Sequence, residues 1–325
     1  TLESRGLGDV YKRQLFTPHD AVIIVTENCD PFGCKQETTI DQEATRDLRK
    51  SEPLGKFVGL EIYKDRGHLA VNEIKEIWVE SNNFAEFRNN IGNLPFYRAM
   101  AFTLTFTFTV TPLMLVFGFI IALAVNSLHQ NLKGLTIFFS LLPMIVSPLI
   151  GSLVLFWMID SRGIIGEALQ YVFEDPDLSL KASTGLTWVM LIVYGVWHAA
   201  PFSFVVFYAG LQTLPMDTIE SAKIDGASRL QQVWYVVIPH LMPLITFVAL
   251  MQLMDNFRVF EPIVGFSAEA HAQSLSWFIF NDLGGETRLL SSAATSSVLT
   301  IIGVSILLFP VLIRTWRDFN EKSAK

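Results

Sequence analysis

The sequence predicts an all-α integral membrane protein, a polytopic helix bundle with a small mixed lobe at its N-terminal side. Three observations carry that reading. Hydrophobic residues make up 51% of the 325, with 26 Phe, while charged residues are only 17%, against roughly 25% in a soluble domain; mean hydropathy is +0.40. Five apolar runs free of Asp, Glu, Lys and Arg occupy about 99–125, 134–159, 186–210, 236–254 and 289–313, each close to or above the ~20 residues that cross a ~30 Å hydrocarbon core. Finally, the single long polar stretch of the C-terminal half, Asp217 to Pro239, lies between two of those runs. The net charge of −7 and the lack of a basic tract argue against a nucleic-acid partner.

Taken in order, residues 1–14 have no initiator Met and no signal-peptide pattern, and Asp9 to Gln14, DVYKRQ, reads as the translation of a transposon end used in sequencing libraries. They are set aside as a sequencing artefact, the alternative being a genuine polar N-terminus. Residues 15–94 form the lobe. Ala21 to Thr26 and the alternation Val58, Leu60, Ile62 predict short strands, and Val71, Ile74 and Trp78 fall on one helix face. Asn83 and Glu86 have capping-box spacing, and Phe84, Phe87 and Ile91 form an apolar edge that either lies in the membrane interface or packs on the lobe.

The domain of spans runs from 95 to 317, with a tail at 318–325. In the first run, Thr103, Thr105, Thr107, Thr109 and Thr111 alternate with apolar residues as in a strand. Length overrules the alternation, because an open strand leaves its backbone unsatisfied in lipid whereas threonine can bond its own helix. Pro143, Pro148 and Pro201 predict kinks. The inter-span segments that hold Lys133, Lys223, Arg229, Arg314, Arg317, Lys322 and Lys325 carry seven basic residues; those that hold Arg162, Lys181, Arg258 and Arg288 carry four in a longer total length. The first set is therefore expected to be cytoplasmic, with the C-terminus, and the lobe extracytoplasmic.

The polar stretch DTIESAKIDGASRLQQVWYVVIP reads as two short helices. Asp217 and Glu220 have capping-box spacing, Gly226 suits the left-handed position that ends a helix, and Ser228 with Gln231 repeats the capping pattern. Leu230, Val233, Trp234, Val237 and Ile238 then form an apolar stripe, expected to be buried, on a helix ending at Pro239.

The order Glu220, Ala222, Asp225, Gly226, Ala227, followed by an apolar helix to Pro239, resembles the "EAA" loop of binding-protein-dependent ABC importer permeases, the maltose-type carbohydrate permeases in particular. Ser221 stands where that family usually has alanine. The resemblance covers about residues 84 to 317. It implies a cytoplasmic coupling helix, with Asp217, Glu220, Ala222, Asp225, Gly226, Ala227 and Pro239 as its residues, docked on an ABC ATPase subunit. It also implies a second permease, similar or identical, an extracytoplasmic solute-binding protein, and residence in the bacterial inner membrane. ATP and magnesium would sit on the partner, with no cofactor on this chain. The family has six spans with both ends inside, so a further span is expected to precede residue 15. The solute would be small and polar, a sugar in the first instance; Val264 to His271 lacks the Gly-Gly-Pro turn of many sugar permeases, which keeps a non-sugar solute open.

Weaker candidates remain. His198 is the one Asp, Glu, Lys, Arg or His residue inside the third run; such residues face a bundle interior or a pathway, so it either contacts solute or bonds a neighbouring helix. Asp255, Asn256 and Arg258 cluster where the fourth run ends, as a surface ion pair at i, i+3 or as the lining of a solute cavity. Cys29 and Cys34 enclose the turn-forming DPFG, which allows a small disulfide loop on an oxidising side. No further His or Cys pair suggests a metal site. The sequence has no G-x-x-x-x-G-K-[ST], H-E-x-x-H or G-x-S-x-G, so it shows neither a phosphate loop nor a visible catalytic motif. An ion-coupled secondary transporter, the alternative class, would place acids or histidine chains mid-membrane; these spans are almost free of them.

Overall fold

Helices dominate the computed structural model, which describes residues 16–17, 22–30, 33–51, 56–57, 59–65, 67–81, 83–174, 183–284 and 290–323. The chain divides into one unit of residues 1–98 with 278–300 and a second of 99–277 with 301–325.

In the first unit, β1 (Phe16–Thr17) pairs antiparallel with β4 (Lys56–Phe57), and β2 (Val22–Asp30) forms a hairpin with β3 (Gly33–Asp41). The β-branched run at 22–26 makes a strand, as its propensity predicts. Of the alternation Val58, Leu60, Ile62, the first lies outside the described residues and the other two form no strand: a 3-10 turn covers Glu61–Lys64. Gly59, at φ 61, turns the chain there, a left-handed position that stops an extended run. After α1 (Gln42–Ser51), α2 (Val71–Glu80) and α3 (Phe84–Gly92) pack through the edge of Trp78 on Phe87, with ring centroids 4.9 Å apart. Of the two readings of the apolar edge, Phe87 follows the one in which the helix packs on the lobe, while Phe84 stays 77% exposed. Asn83 is the N-cap residue of α3, yet its side chain makes no capping bond. The register pairs Cys29 with Cys34; a disulfide between them lies outside the described residues.

In the second unit, α4 (Pro95–Ser127) covers the first run, so the threonine alternation is helical. Thr103, Thr107 and Thr111 fall on one face and are buried. Thr107 Oγ1 donates to the Thr103 carbonyl at 2.7 Å, the in-helix bond that lets threonine sit in an apolar setting. The other hydroxyls of that face work across elements: Thr103 Oγ1 accepts from the Leu275 N–H at 3.2 Å, and Thr111 Oγ1 accepts from Asn256 Nδ2 at 3.0 Å.

The second run is not one straight helix. It is α5 (Gln130–Ile145) and α6 (Pro148–Met158), bent by 95°. Pro148 opens α6, and the residue before a proline is driven out of the helical region, as Ser147 at ψ 137 is. Pro143 and Pro201, by contrast, are absorbed inside α5 and α8. Then follow α7 (Ile164–Phe173), α8 (Thr184–Gln212), α9 (Met216–Ile224), α10 (Arg229–Gln232), α11 (Ile238–Phe257), α12 (Glu261–Gly265), α13 (Leu275–Gly284) and α14 (Leu290–Ser323). A π turn, Val233–Val237, joins α10 to α11, so the helix does not end at Pro239. Pro239 has no N–H to return to Tyr235, and the Ile238 N–H just before it meets the Val233 carbonyl, the i→i−5 bond of a π bulge.

Among the described residues four helices are long and apolar enough to cross a membrane, α4, α8, residues 229–257 and residues 290–310, and the bent α5–α6 pair is a fifth if counted as one span. Their outward residues are apolar, Phe117, Phe138, Val193 and Ile306 being at least half exposed. Such a surface is stable against lipid and not against water. The core of the unit is built by Phe102, Phe106, Val110 and Met114 of α4 with Phe204 and Phe207 of α8 and Leu241 of α11. Ser203 Oγ, fully buried, donates to the Met114 carbonyl at 2.8 Å and ties α8 to α4.

Candidate functional site

Two places in the second unit concentrate polar groups. The first is a cavity of about 510 Å³, lined from α4 by Phe106, from α8 by Tyr194, His198 and Phe202, from α11 by Gln252, Asp255 and Asn256, and from α12 by Glu261. Its size lies in the range of small-ligand sites, and so does its make-up of aromatic walls with a few polar groups. The break at Pro148 forms part of the same wall, and α8 holds it. His198 Nε2 donates to the Val146 carbonyl at 3.2 Å, and Tyr194 donates its hydroxyl to the Pro148 carbonyl at 2.8 Å. The helix break frees the Val146 carbonyl, at the C-cap of α5, which needs a partner away from water. The bond of His198 to a neighbouring helix is thus realised, and the ring also faces the cavity, stacked on Tyr194 with centroids 5.8 Å apart.

The cluster after the fourth run forms its i, i+3 ion pair and also borders this cavity. Arg258 pairs with Asp255 at 3.6 Å, both side chains more than half exposed, and both line the cavity. Asn256 is 8% exposed and bonded to Thr111, which fixes its carboxamide against α4.

The second place is the polar loop between α8 and α11. α9 ends as the glycine spacing predicts: Gly226 has φ +81, its N–H bonds the Lys223 carbonyl, and the Ala227 N–H bonds the Ala222 carbonyl, each at 3.0 Å. That is a Schellman ending. Ser228 then closes a reciprocal capping box with Gln231, and Gln232 Nε2 returns to the Ala227 carbonyl at 2.8 Å. The angle between α9 and α10 is therefore set by hydrogen bonds on both sides of one glycine. Asp217 does not cap α9. The helix starts one residue earlier with Pro215 at the N-cap, which puts Asp217 inside the first turn; its charge there still suits the positive end of the helix. Pro239 lies just past the π turn, in the first turn of α11.

None of the nine residues of α9 is buried; Ile219 and Ala222 are half-buried and Glu220, Asp225 and Gly226 are exposed. Nor is the apolar stripe beyond it buried as a whole. Val237 is, but Leu230 is 74% and Trp234 65% exposed. Among the described residues Glu220 has no ion pair.

The model of the family described as "Binding-protein-dependent transport system inner membrane component" matches residues 93–260, from the start of α4 through α11 and including the whole polar loop. The chain belongs to that family. Its spans place it as a multi-pass helical permease of the inner membrane. Among curated relatives, the probable ABC transporter permease YesP of Bacillus subtilis is 30% identical over 190 residues, 57% of this chain and 59% of the relative. The multiple sugar-binding transport system permease MsmF of Streptococcus mutans is 31% identical over 193 residues, 57% and 64%. The matched part is thus about three fifths of these relatives' length. The sn-glycerol-3-phosphate permease UgpA of Rhizobium meliloti is 26% identical over 233 residues, 70% and 78%. Among solved structures, a bacterial ABC transporter for import of the acidic polysaccharide alginate superposes with a TM-score of 0.61 at 19% identity, over 85% of this chain and 98% of that one, a likeness of fold.

His198 lines one cavity of the permease with Asp255 and Asn256, more than fifty residues further along the chain. Cavity residues that sequence reasoning missed are Tyr194, Gln252, Glu261 and the aromatics Phe106 and Phe202. Gln252 was findable: it lies three residues before Asp255, hence on the same helix face. Glu261 was not, because the chain turns at Arg258 to Phe260 before α12 begins, a change of direction with no periodic signal.

Proposed function

We propose that the chain is the membrane-spanning permease subunit of an ABC importer, moving a small polar solute of sugar type, with ATP hydrolysed on a partner ATPase. The observation that carries this is α9: a polar helix with no buried residue, fixed in angle by Gly226, standing between two membrane spans with Glu220 outward. A short isolated helix of nine residues is unstable in water without tertiary contacts, so this surface fits a partner that covers it. Family membership and the sugar-permease relatives support the same reading.

In this account ATP binding draws two ATPases together, moves the α9 surfaces of two permeases, and rocks the spans between inward-open and outward-open states. α10 runs through the π turn into α11 without a break, so displacement of the loop reaches Gln252, Asp255 and Asn256 along one continuous helix. Asp217, Glu220, Ala222, Asp225, Gly226, Ala227 and Pro239 form the coupling element, with the loop and C-terminus cytoplasmic and an extracytoplasmic binding protein delivering the solute. This chain contributes no cofactor, and ATP with magnesium stays on the partner.

The test is uptake into vesicles holding the reconstituted complex. Uptake that requires ATP and a hydrolysis-competent partner, and survives a protonophore, supports the account. Uptake that runs without ATP and collapses with the ion gradient returns the chain to the secondary-transporter class.

A further inference from the structure

The cavity's hydrogen-bonding groups are unevenly committed. On the donor side, Tyr194 O–H is spent on the Pro148 carbonyl, His198 Nε2–H on the Val146 carbonyl and one of the two N–H groups of Asn256 Nδ2 on Thr111, while Arg258 sits against Asp255. Acceptors remain. With Nε2 donating, the neutral imidazole of His198 keeps only the acceptor Nδ1, and Asn256 keeps Oδ1. Gln252 is the sharpest case. It is 9% exposed, lines the cavity, and its Oε1 is buried with no hydrogen-bond partner. A carbonyl orphaned in that way is costly, and a turn of the carboxamide presents it to whatever enters. The charges lean the same way: Asp255 and Glu261 are two carboxylates against the one guanidinium of Arg258.

From this the geometry points to a solute class narrower than the sugar type proposed above: a hydroxyl-rich solute without an anionic group, a neutral hexose unit whose hydroxyls donate to Gln252 and Asn256, with uronates and phosphate esters rejected. A hydroxyl is a donor that these acceptors lack. A carboxylate or phosphate would add negative charge to a lining that already holds the carboxylates of Asp255 and Glu261 against the one guanidinium of Arg258, and like charge is penalised there. The ring faces of a hexose fit the other half of the lining, Phe106, Tyr194 and Phe202, since apolar C–H faces stack on aromatic walls while hydroxyls meet the polar groups at the edge.

This inference rests on the permease reading, and its experiment separates the two. The complex of this chain with its partner subunits is purified and its solute-stimulated ATP hydrolysis is first established, which scores the permease reading alone. The same complex is then titrated with short neutral oligosaccharides, their uronate counterparts and hexose phosphates, with binding followed by thermal stabilisation. Neutral members are expected to bind and the acidic ones to bind at least about tenfold more weakly. Gln252→Leu should weaken the neutral members about five- to tenfold, the loss of one neutral hydrogen bond, and Glu261→Gln should narrow the gap between acidic and neutral members. A complex that hydrolyses ATP normally but prefers the uronates or phosphates, or binds no neutral member, overturns the inference. So does full affinity in Gln252→Leu.

Discussion

Gly265→Ala separates a glycine needed for space from one that is incidental. Gly265 is buried in α12, and a Cβ added there would lie 1.9 Å from Ser152 Oγ and 2.8 Å from the Leu149 carbonyl oxygen of α6. The serine can in principle turn away, but it would give up its 2.9 Å bond to that same carbonyl. The carbonyl is backbone and cannot turn. Overpacking of this kind costs about 1–3 kcal/mol, and the fixed backbone atom puts this case in the upper half of that range. Adding Ser152→Ala removes the hydroxyl but leaves the Leu149 carbonyl, so the double variant should recover only part of the loss. Gly185→Ala is the control. It lies in the first turn of α8 with no atom within 4 Å of a new Cβ, and alanine there should stabilise by up to about 1 kcal/mol through helix propensity. The assay is denaturant unfolding of the purified protein in mixed micelles, with solute uptake measured alongside. Because α12 carries Glu261 and Pro262 into the cavity wall, uptake should fall further than stability alone explains. Equal stability of the Gly265 and Gly185 variants would refute the close approach of α12 and α6.

Three further outcomes are expected. A double-mutant cycle on Asn256→Ala and Thr111→Val should return a coupling of about 0.6 kcal/mol, the mean for hydrogen bonds between membrane helices, and a zero coupling would remove the contact from the account. His198→Phe keeps the ring stack on Tyr194 but leaves the Val146 carbonyl bare, so it should destabilise by about 1–3 kcal/mol, measured by the same unfolding assay; an unchanged protein would mean the helix break is held by something else. In a Cys29→Ser, Cys34→Ser background, single cysteines at Ser228 and Asn72 should label from opposite sides of the membrane with an impermeant reagent. Labelling of both from outside intact cells contradicts the proposed orientation.

The spans were legible because lipid leaves few options: a run of apolar residues without Asp, Glu, Lys or Arg has to be helical, whatever pattern the threonines make. The bend of 95° at Ser147 and Pro148 was legible only as a kink. Proline gives the position of a disturbance, and its size depends on which neighbours hold the two sides of the break, here His198 on the freed Val146 carbonyl and Tyr194 on the Pro148 carbonyl. Gly226 and the Ser228–Gln231 box were read correctly because turns and caps are local, within a few residues. Asp217 was misread, since the helix begins at Met216 with Pro215 at an N-cap that makes no side-chain bond, so the capping preference did not decide where it starts. The apolar stripe from Leu230 was expected to be buried, but amphipathicity says only that a face wants cover and not that this chain supplies it. Cavity membership was the least legible part. His198 and Asp255 stood out as ionisable residues at membrane depth, whereas Tyr194 reaches the same space through the packing of α8 on α11, which no local pattern encodes.

The central claim is that the α9–α10 loop passes force from an ATPase to the spans. It is tested most directly by reconstituting Glu220→Ala and Gly226→Val with all partner subunits and measuring ATPase co-purification, stimulated hydrolysis and uptake on one preparation. Gly226 sits at φ +81 with nothing within 4 Å of a new Cβ, so valine there acts through backbone strain alone, about 1–2 kcal/mol, spent on the angle between α9 and α10. Neither residue lies in a span, and both variants should insert normally. The account predicts that both lose bound ATPase or stimulated hydrolysis and, with it, uptake. Variants that retain the ATPase, hydrolyse ATP on stimulation and import at the wild-type rate would contradict it.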